Sequence, residues 1–185
     1  MLGDLLAESS GGMSDAVEAL KRDLAGIRTG RASPALVERL LVPYYGTSTP
    51  LNQLATISTP EARLLVIQPW DKSAMSDIER AILASDLGLT PNNDGNLIRL
   101  NIPPLTEERR RDLVRMARRR VEEAKVEVRN RRRDAISDVR QFEQEKLFSQ
   151  DEAKQGQDDL QKLTDSYVAQ IDLVGDAKEK EIMET

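Results

Sequence analysis

Twelve arginines and one lysine lie between Arg109 and Arg140, where only six acidic residues accompany them. This segment therefore carries a net charge of +7, whereas the whole chain of 185 residues carries −5. Guanidinium groups bind phosphate oxygens through paired hydrogen bonds, and a basic cluster on an acidic protein indicates a face that binds a polyanion. The chemistry that these residues predict is binding to the phosphates of a nucleic acid.

The spacing of these cations places many of them on one face of an ideal helix. The members of this face are Arg111, Arg115, Arg118, Lys125, Arg129, Arg132, Arg133 and Arg140. Two interpretations stay open: the face binds phosphates, or it pairs with residues 141–185, which carry −7. The excess of arginine over lysine favours phosphate contacts. With 3% aromatic residues, the chain is a poor platform for stacking single-stranded bases, so structured RNA fits better.

Residue types needed for enzyme chemistry are scarce. The sequence contains no histidine, no cysteine and no glycine-rich phosphate-binding motif, so it predicts no catalysis, no metal and no cofactor. Tyr44, Tyr45 and Trp70 could stack on bases, but packing is the favoured interpretation. No apolar run approaches the roughly 18 residues of a membrane span. The first residues carry acids and lack a basic segment, so no signal peptide is expected.

Apolar residues recur with helical spacing in three stretches of the chain, and the second of these stretches contains the basic face. The first runs from Met13 to Ile27, and Gly30 is expected near its end. Gly11–Gly12 argue against a firm helix upstream, although Leu2, Leu5 and Leu6 could continue one. The second begins after Thr106 and has no glycine or proline up to residue 146, and the third covers roughly residues 150–183. The three stripes predict an antiparallel three-helix bundle, and the few aromatic residues predict a thin, elongated molecule.

Residues 31–104 have a different composition, with short β-like runs separated by turns that contain proline and glycine. The runs are residues 39–42, 54–58, 63–67 and 96–102, and one short helix fits residues 76–85. We predict a bundle made of residues 1–30 and 105–185, with a small α/β domain of residues 31–104 inserted into it. The two crossings between the domains predict a hinge, whose residues are Gly30, Ser33, Pro34, Pro103 and Pro104.

Six segments, in this order, resemble the ribosome recycling factor family. They are residues 27–34 (IRTGRASP), 44–51 (YYGTSTPL), 84–91 (ASDLGLTP), 103–110 (PPLTEERR), 128–134 (VRNRRRD) and 157–165 (QDDLQKLTD). The resemblance implies an α+β, L-shaped molecule, with the bundle as one arm and the inserted domain as the other. It also implies a non-enzymatic translation factor that binds the post-termination ribosome. Together with elongation factor G and GTP, such a factor promotes dissociation into subunits and recycling.

The resemblance and the charge pattern together define the expected site. The predicted RNA-binding residues are Arg110, Arg111, Arg118, Arg129, Arg132, Arg133, Arg28 and Arg31. The expected partners are large-subunit ribosomal RNA and elongation factor G, with no small-molecule substrate and no membrane, for a cytoplasmic monomer. The alternative is a helical adaptor that binds a protein partner through its bundle, with its arginines paired to the third helix.

Overall fold

The computed structural model describes residues 1–184, which form two compact units. One unit consists of Met1–Arg28 and Glu107–Glu184, and the other consists of Thr29–Thr106. The chain therefore leaves the first unit and returns to it, which makes the second unit an insertion.

The first unit is a bundle of three long helices. They are α1 (Leu2–Ala25), α3 (Glu107–Gln144) and α4 (Gln150–Glu184), and each packs on the other two. Two contacts along each pair of helices fix their directions. Leu2 and Ser10 of α1 lie against Gly156 and Tyr167 of α4, in the same order along both helices. Gly12 and Asp23 of α1 lie against Arg131 and Arg120 of α3, in opposite order. α1 and α4 are thus parallel to each other and antiparallel to α3. The apolar seams contribute buried residues that include Met13, Leu20, Val128, Leu160 and Ile171.

Helix α1 is continuous through Gly11 and Gly12, so the prediction that these glycines weaken the helix is wrong. Leu2, Leu5 and Leu6 pack against the buried cluster that α3 and α4 form around Val139 and Leu160. This apolar burial outweighs the helix cost of two glycines, which is about 1 kcal/mol each. The helix also ends earlier than expected, at Ala25 with Gly26 as its C-cap, so Gly30 does not cap it.

A short turn reverses the chain between α3 and α4. Lys146 takes a left-handed conformation there, with φ of 61°, and the rings of Phe142 and Phe148 pack edge to face. A reciprocal capping box starts α4: the Ser149 amide donates to the Glu152 carboxylate at 3.0 Å, and the Glu152 amide donates to Ser149 Oγ at 3.1 Å. This turn fixes the register in which α4 runs back along α3.

The second unit contains two antiparallel sheets, one α-helix and three short 3-10 helices. Strands β1 (Leu41–Tyr44) and β2 (Thr47–Pro50) form a hairpin. The other sheet has the order β3-β4-β6-β5, made of β3 (Ala55–Glu61), β4 (Leu64–Pro69), β6 (Ile98–Asn101) and β5 (Pro91–Asn93). Helix α2 (Met75–Ala84) buries Ile78 and Ile82 in the core of this unit, with Leu65, Ile67 and Leu100.

Two strands of the second unit were not predicted. The β2 sequence is polar and the β5 sequence resembles a turn, and each is a strand because a neighbouring strand pairs with it. Trp70 is 65% exposed and donates its indole N–H to Thr56, so the interpretation of Trp70 as a packing residue is wrong. Tyr44 is half-buried against the core, whereas Tyr45 is 81% exposed.

Candidate nucleic-acid interface

The basic helix α3 has two regions whose arginines have different surroundings. Towards its N-terminal end, cationic side chains contact carboxylates of α1, α3 and α4. Towards its C-terminal end, between residues 129 and 140, they line an open groove. The pairing interpretation therefore describes Arg118 and Lys125, and phosphate binding stays a prediction for the C-terminal part of the helix.

Ion pairs with α4 neutralise part of the predicted face. Arg118 makes a bidentate contact with Glu179, whose hydrogen bond and charge raise the pKa of the guanidinium further above its usual range. Lys125 lies 2.5 Å from Asp172, and this hydrogen bond raises the pKa of the lysine. Both cations already have carboxylate partners, so they are poorer candidates for phosphate contacts than unpaired arginines.

Three further predicted or neighbouring arginines are engaged inside the bundle unit. Arg110 is half-buried, and its Nη1 donates to the carbonyl of Met183 at 3.3 Å. Arg111 lies 3.5 Å from Glu107 on its own helix. Arg120 lies 2.5 Å from Asp23 of α1. Arg110 and Arg120 thus contact other helices of the bundle, whereas the partner of Arg111 is on α3 itself.

The groove at the C-terminal half of α3 is lined by four arginines and by no carboxylate. Its volume is about 640 Å³, and its lining residues are Arg129, Asn130, Arg132, Arg133, Ile136, Ser137, Arg140 and Gln161. Arg132 donates to the side-chain oxygen of Gln161 at 2.9 Å, and Arg133 donates to that of Asn130 at 2.9 Å. Among the described residues 1–184, these four arginines have no ion pair within 4.0 Å. The groove therefore concentrates positive charge, and its guanidinium N–H groups have no carboxylate partner in the described part of the chain.

The sequence predicted three of these four as RNA contacts, namely Arg129, Arg132 and Arg133. Arg140 belonged to the predicted face, and its place in the groove makes it a fourth candidate. Gln161 was missed because it lies on α4, and nothing in a single sequence shows which α4 residue faces Arg132. Its spacing of four residues from Asp165 predicts only a hydrogen bond along the helix.

The remaining predicted arginines lie elsewhere. Arg28 is exposed at the end of the bundle unit, beyond Asp23, which pairs with Arg120. It is therefore near the N-terminal half of α3 and far along the bundle from the groove. Arg31 is exposed in the second unit.

The predicted hinge residues belong to the second unit. Gly30 has φ of 79°, and a Cβ there would lie 3.2 Å from the side chain of Leu105. Ser33 caps the short 3-10 helix that begins at Pro34, and its hydroxyl accepts a bond from the amide of Ala35 at 3.3 Å. Pro103 and Pro104 are exposed in the segment before α3.

Metal-binding clusters and membrane-spanning helices are absent from the described part of the chain. Residues 1–184 bring together no group of three or more carboxylates that could hold a metal ion. None of their helices is long and apolar enough to cross a membrane. The groove between α3 and α4 is thus the site on which the charge pattern and the packing converge.

The chain is an α+β protein whose three-helix bundle has an arginine-lined groove and whose sequence is interrupted by a small β-rich unit. A family model described as ribosome recycling factor matches residues 20–183. The chain belongs to the ribosome recycling factor family.

Relatives match over nearly the whole chain. The ribosome-recycling factor of Carboxydothermus hydrogenoformans is 56% identical, with 99% of each chain covered. That of Halalkalibacterium halodurans is 58% identical, with 100% of each chain covered.

Solved structures are also similar. A solution structure of the ribosome recycling factor matches with a TM-score of 0.77 and 49% identity, covering 100% of this chain and 98% of that one. A second match, at a TM-score of 0.65 and 48% identity over 98% of each chain, is the T. thermophilus factor. It is described with E. coli elongation factor G as bound to the E. coli post-termination complex.

Proposed function

We propose that this protein is a cytoplasmic translation factor that binds the post-termination ribosome and, with elongation factor G and GTP, promotes its dissociation into subunits for recycling. Membership of the ribosome recycling factor family and similarity to a relative described on the post-termination complex support this function. The observation that carries the RNA contact is the arginine-lined groove on α3, which contains no carboxylate.

The physical argument concerns the state of the arginines before binding. A guanidinium that already has a carboxylate must exchange that partner for a phosphate, and the exchange yields little net free energy. Arg129, Arg132, Arg133 and Arg140 have no such partner, so their donors are available to phosphate oxygens. We therefore place the main contact with large-subunit ribosomal RNA at this groove. Arg110, Arg111 and Arg118 remain secondary candidates, because each has a partner within the bundle.

Co-sedimentation with vacant bacterial ribosomes tests the RNA contact. Wild type, Arg129→Ala and Arg132→Ala are compared over a series of salt concentrations, with Arg80→Ala in α2 as a control that removes one exposed arginine from the other unit. Each phosphate contact contributes about −0.7 to −0.9 to the slope of log K against log salt. Each groove variant should therefore bind more weakly with a shallower slope, and Arg80→Ala should match wild type.

A stability measurement separates binding from folding. Arg132 bonds only a neutral amide, so Arg132→Ala should change the free energy of unfolding by no more than about 0.5 kcal/mol. A loss of binding that comes with an equal loss of folding would assign Arg132 to the bundle core. Wild-type binding that does not depend on salt would contradict the RNA contact and favour the adaptor alternative, in which the bundle binds a protein.

We further propose that the inserted unit moves relative to the bundle when elongation factor G acts. The chain passes between the units at residues 28–29 and 106–107, close to the predicted hinge residues Gly30, Ser33, Pro34, Pro103 and Pro104. Shortening the segment before α3 by deleting Pro104 should reduce subunit splitting more than ribosome binding. Equal losses of both would identify this segment as a folding element.

A further inference from the structure

The ion pairs between α3 and α4 follow a regular register. Arg118 contacts Glu179 and Lys125 contacts Asp172, so a step of seven residues forward on α3 is a step of seven backward on α4. Seven residues make two turns, which returns each helix to the same seam. The next step in this register places Arg132 opposite Asp165.

Arg132 does not make this third ion pair. Its Nη1 donates to Oε1 of Gln161 at 2.9 Å, and Nε2 of Gln161 donates to Oδ1 of Asp165 at 2.8 Å. One amide thus satisfies the cation and the carboxylate at the same time. Because an amide has no net charge, it holds the Arg132 side chain without neutralising it.

We propose that Gln161 is a positioning residue that keeps Arg132 available for phosphate by occupying Asp165. Without the amide, the carboxylate of Asp165 and the guanidinium of Arg132 have the register of the two ion pairs that the same helices already form. A phosphate would then have to displace Asp165. The inference rests on the proposed function, because it concerns the same RNA contact, and it adds a residue on α4 to a site built mainly on α3.

Gln161 marks a change in the α4 residues that contact the cations of α3. At Arg118 and Lys125, the α4 residues in contact are acids; at Arg132, the residue in contact is an amide. Gln161 and Arg132 both line the groove, whereas Asp165 does not. The amide therefore separates the carboxylate from the open arginines.

The test compares ribosome binding by wild type, Gln161→Ala, Asp165→Asn and the double variant Gln161→Ala/Asp165→Asn. Gln155→Ala is the matched control, because Gln155 makes the same bond to Asp159 four residues on, at 2.9 Å in the same helix, and the groove does not include it. The probe is the vacant bacterial ribosome over a salt series, and thermal unfolding is followed for every variant.

Gln161→Ala should lower affinity about as much as Arg132→Ala and reduce the salt slope by about 1, because one phosphate contact is lost. Adding Asp165→Asn should restore both the affinity and the slope. This gain should exceed the effect of Asp165→Asn in the wild-type background, and Gln155→Ala should bind like wild type. If Gln161 only stabilised the bundle, adding Asp165→Asn to Gln161→Ala would not restore ribosome binding.

Two results would overturn the inference: wild-type binding by Gln161→Ala, or weak binding that persists in the double variant. Arg132→Ala distinguishes these from a failure of the proposed function. If Arg132→Ala weakens binding and Gln161→Ala does not, the RNA contact stands and the positioning role is wrong. If neither variant weakens binding and Arg129→Ala also binds like wild type, the groove is not the ribosome contact.

Discussion

Two glycines in the bundle should respond in opposite ways to replacement by alanine. Gly11 lies inside α1, and no atom lies within 4 Å of the position that a Cβ would take. Gly175 is buried in α4, and a Cβ there would lie 2.7 Å from Cγ2 of Val121 on α3. Both substitutions gain the same helix propensity, and only the second introduces a steric overlap.

The magnitudes follow from these two terms. Alanine is preferred to glycine in a helix interior by about 1 kcal/mol, so Gly11→Ala should stabilise the bundle by about that amount. Inserting a methyl group into a packed interface costs about 1 to 3 kcal/mol. Val121 cannot easily rotate away from the new methyl group, because a valine in a helix has one strongly preferred rotamer. Gly175→Ala should therefore be about 1 to 3 kcal/mol less stable than Gly11→Ala.

Urea unfolding followed by circular dichroism at 222 nm measures both changes, since the three helices dominate that signal. Gly156→Ala serves as the comparison, because its Cβ would lie 2.8 Å from Cδ1 of Leu2, the end of a flexible side chain near the chain terminus. We expect Gly156→Ala to fall between the other two. Equal stabilisation by Gly11→Ala and Gly175→Ala would refute the reasoning, because α3 and α4 could then separate at Val121 without cost.

Three more outcomes are expected. Leu160→Ala empties a fully buried position between the helices and should lower the free energy of unfolding by about 2 to 5 kcal/mol in the same assay. Glu179→Gln should release Arg118 for phosphate and strengthen ribosome binding at low salt; unchanged binding would mean that the RNA does not reach this part of α3. Backbone amides of Leu97 and Asn96 and the Arg99 side chain lower the pKa of Asp94 to about 2. The Asp94 carboxylate should therefore stabilise the inserted unit fully above its ordinary pKa of 3.8, and this stabilisation should be lost as the pH falls towards 2. An NMR titration of the Asp94 carboxyl with a midpoint near 3.8 would contradict this.

The sequence was a good guide to the bundle because local patterns determine where a helix forms. The long stretch without glycine or proline predicted α3, and the apolar spacing from Leu160 to Ile171 predicted α4. The same reasoning failed at Gly11 and Gly12, because it counted their intrinsic cost. It gave that cost more weight than Leu2, Leu5 and Leu6, whose burial against other helices is a tertiary contact.

Strands were harder to predict than helices. β4 and β6 contain the apolar residues that form the core of the inserted unit, and both were expected. β2 and β5 are short and polar, and their conformation comes from hydrogen bonds to β1 and β6. A strand of this kind depends on its neighbour in the sheet, so its own residues carry little information about it.

The amino-acid sequence alone makes α3 basic and helical and supplies arginines that could bind phosphates. Which of these arginines stay unpaired depends on the tertiary structure. Arg118 and Glu179 are 61 residues apart in the chain, and whether they meet depends on the register that the turn after α3 imposes on α4. The same register brings Gln161 to Arg132. Charge is a property of the residues, whereas its neutralisation depends on distances of a few ångströms between helices, and packing alone sets those distances.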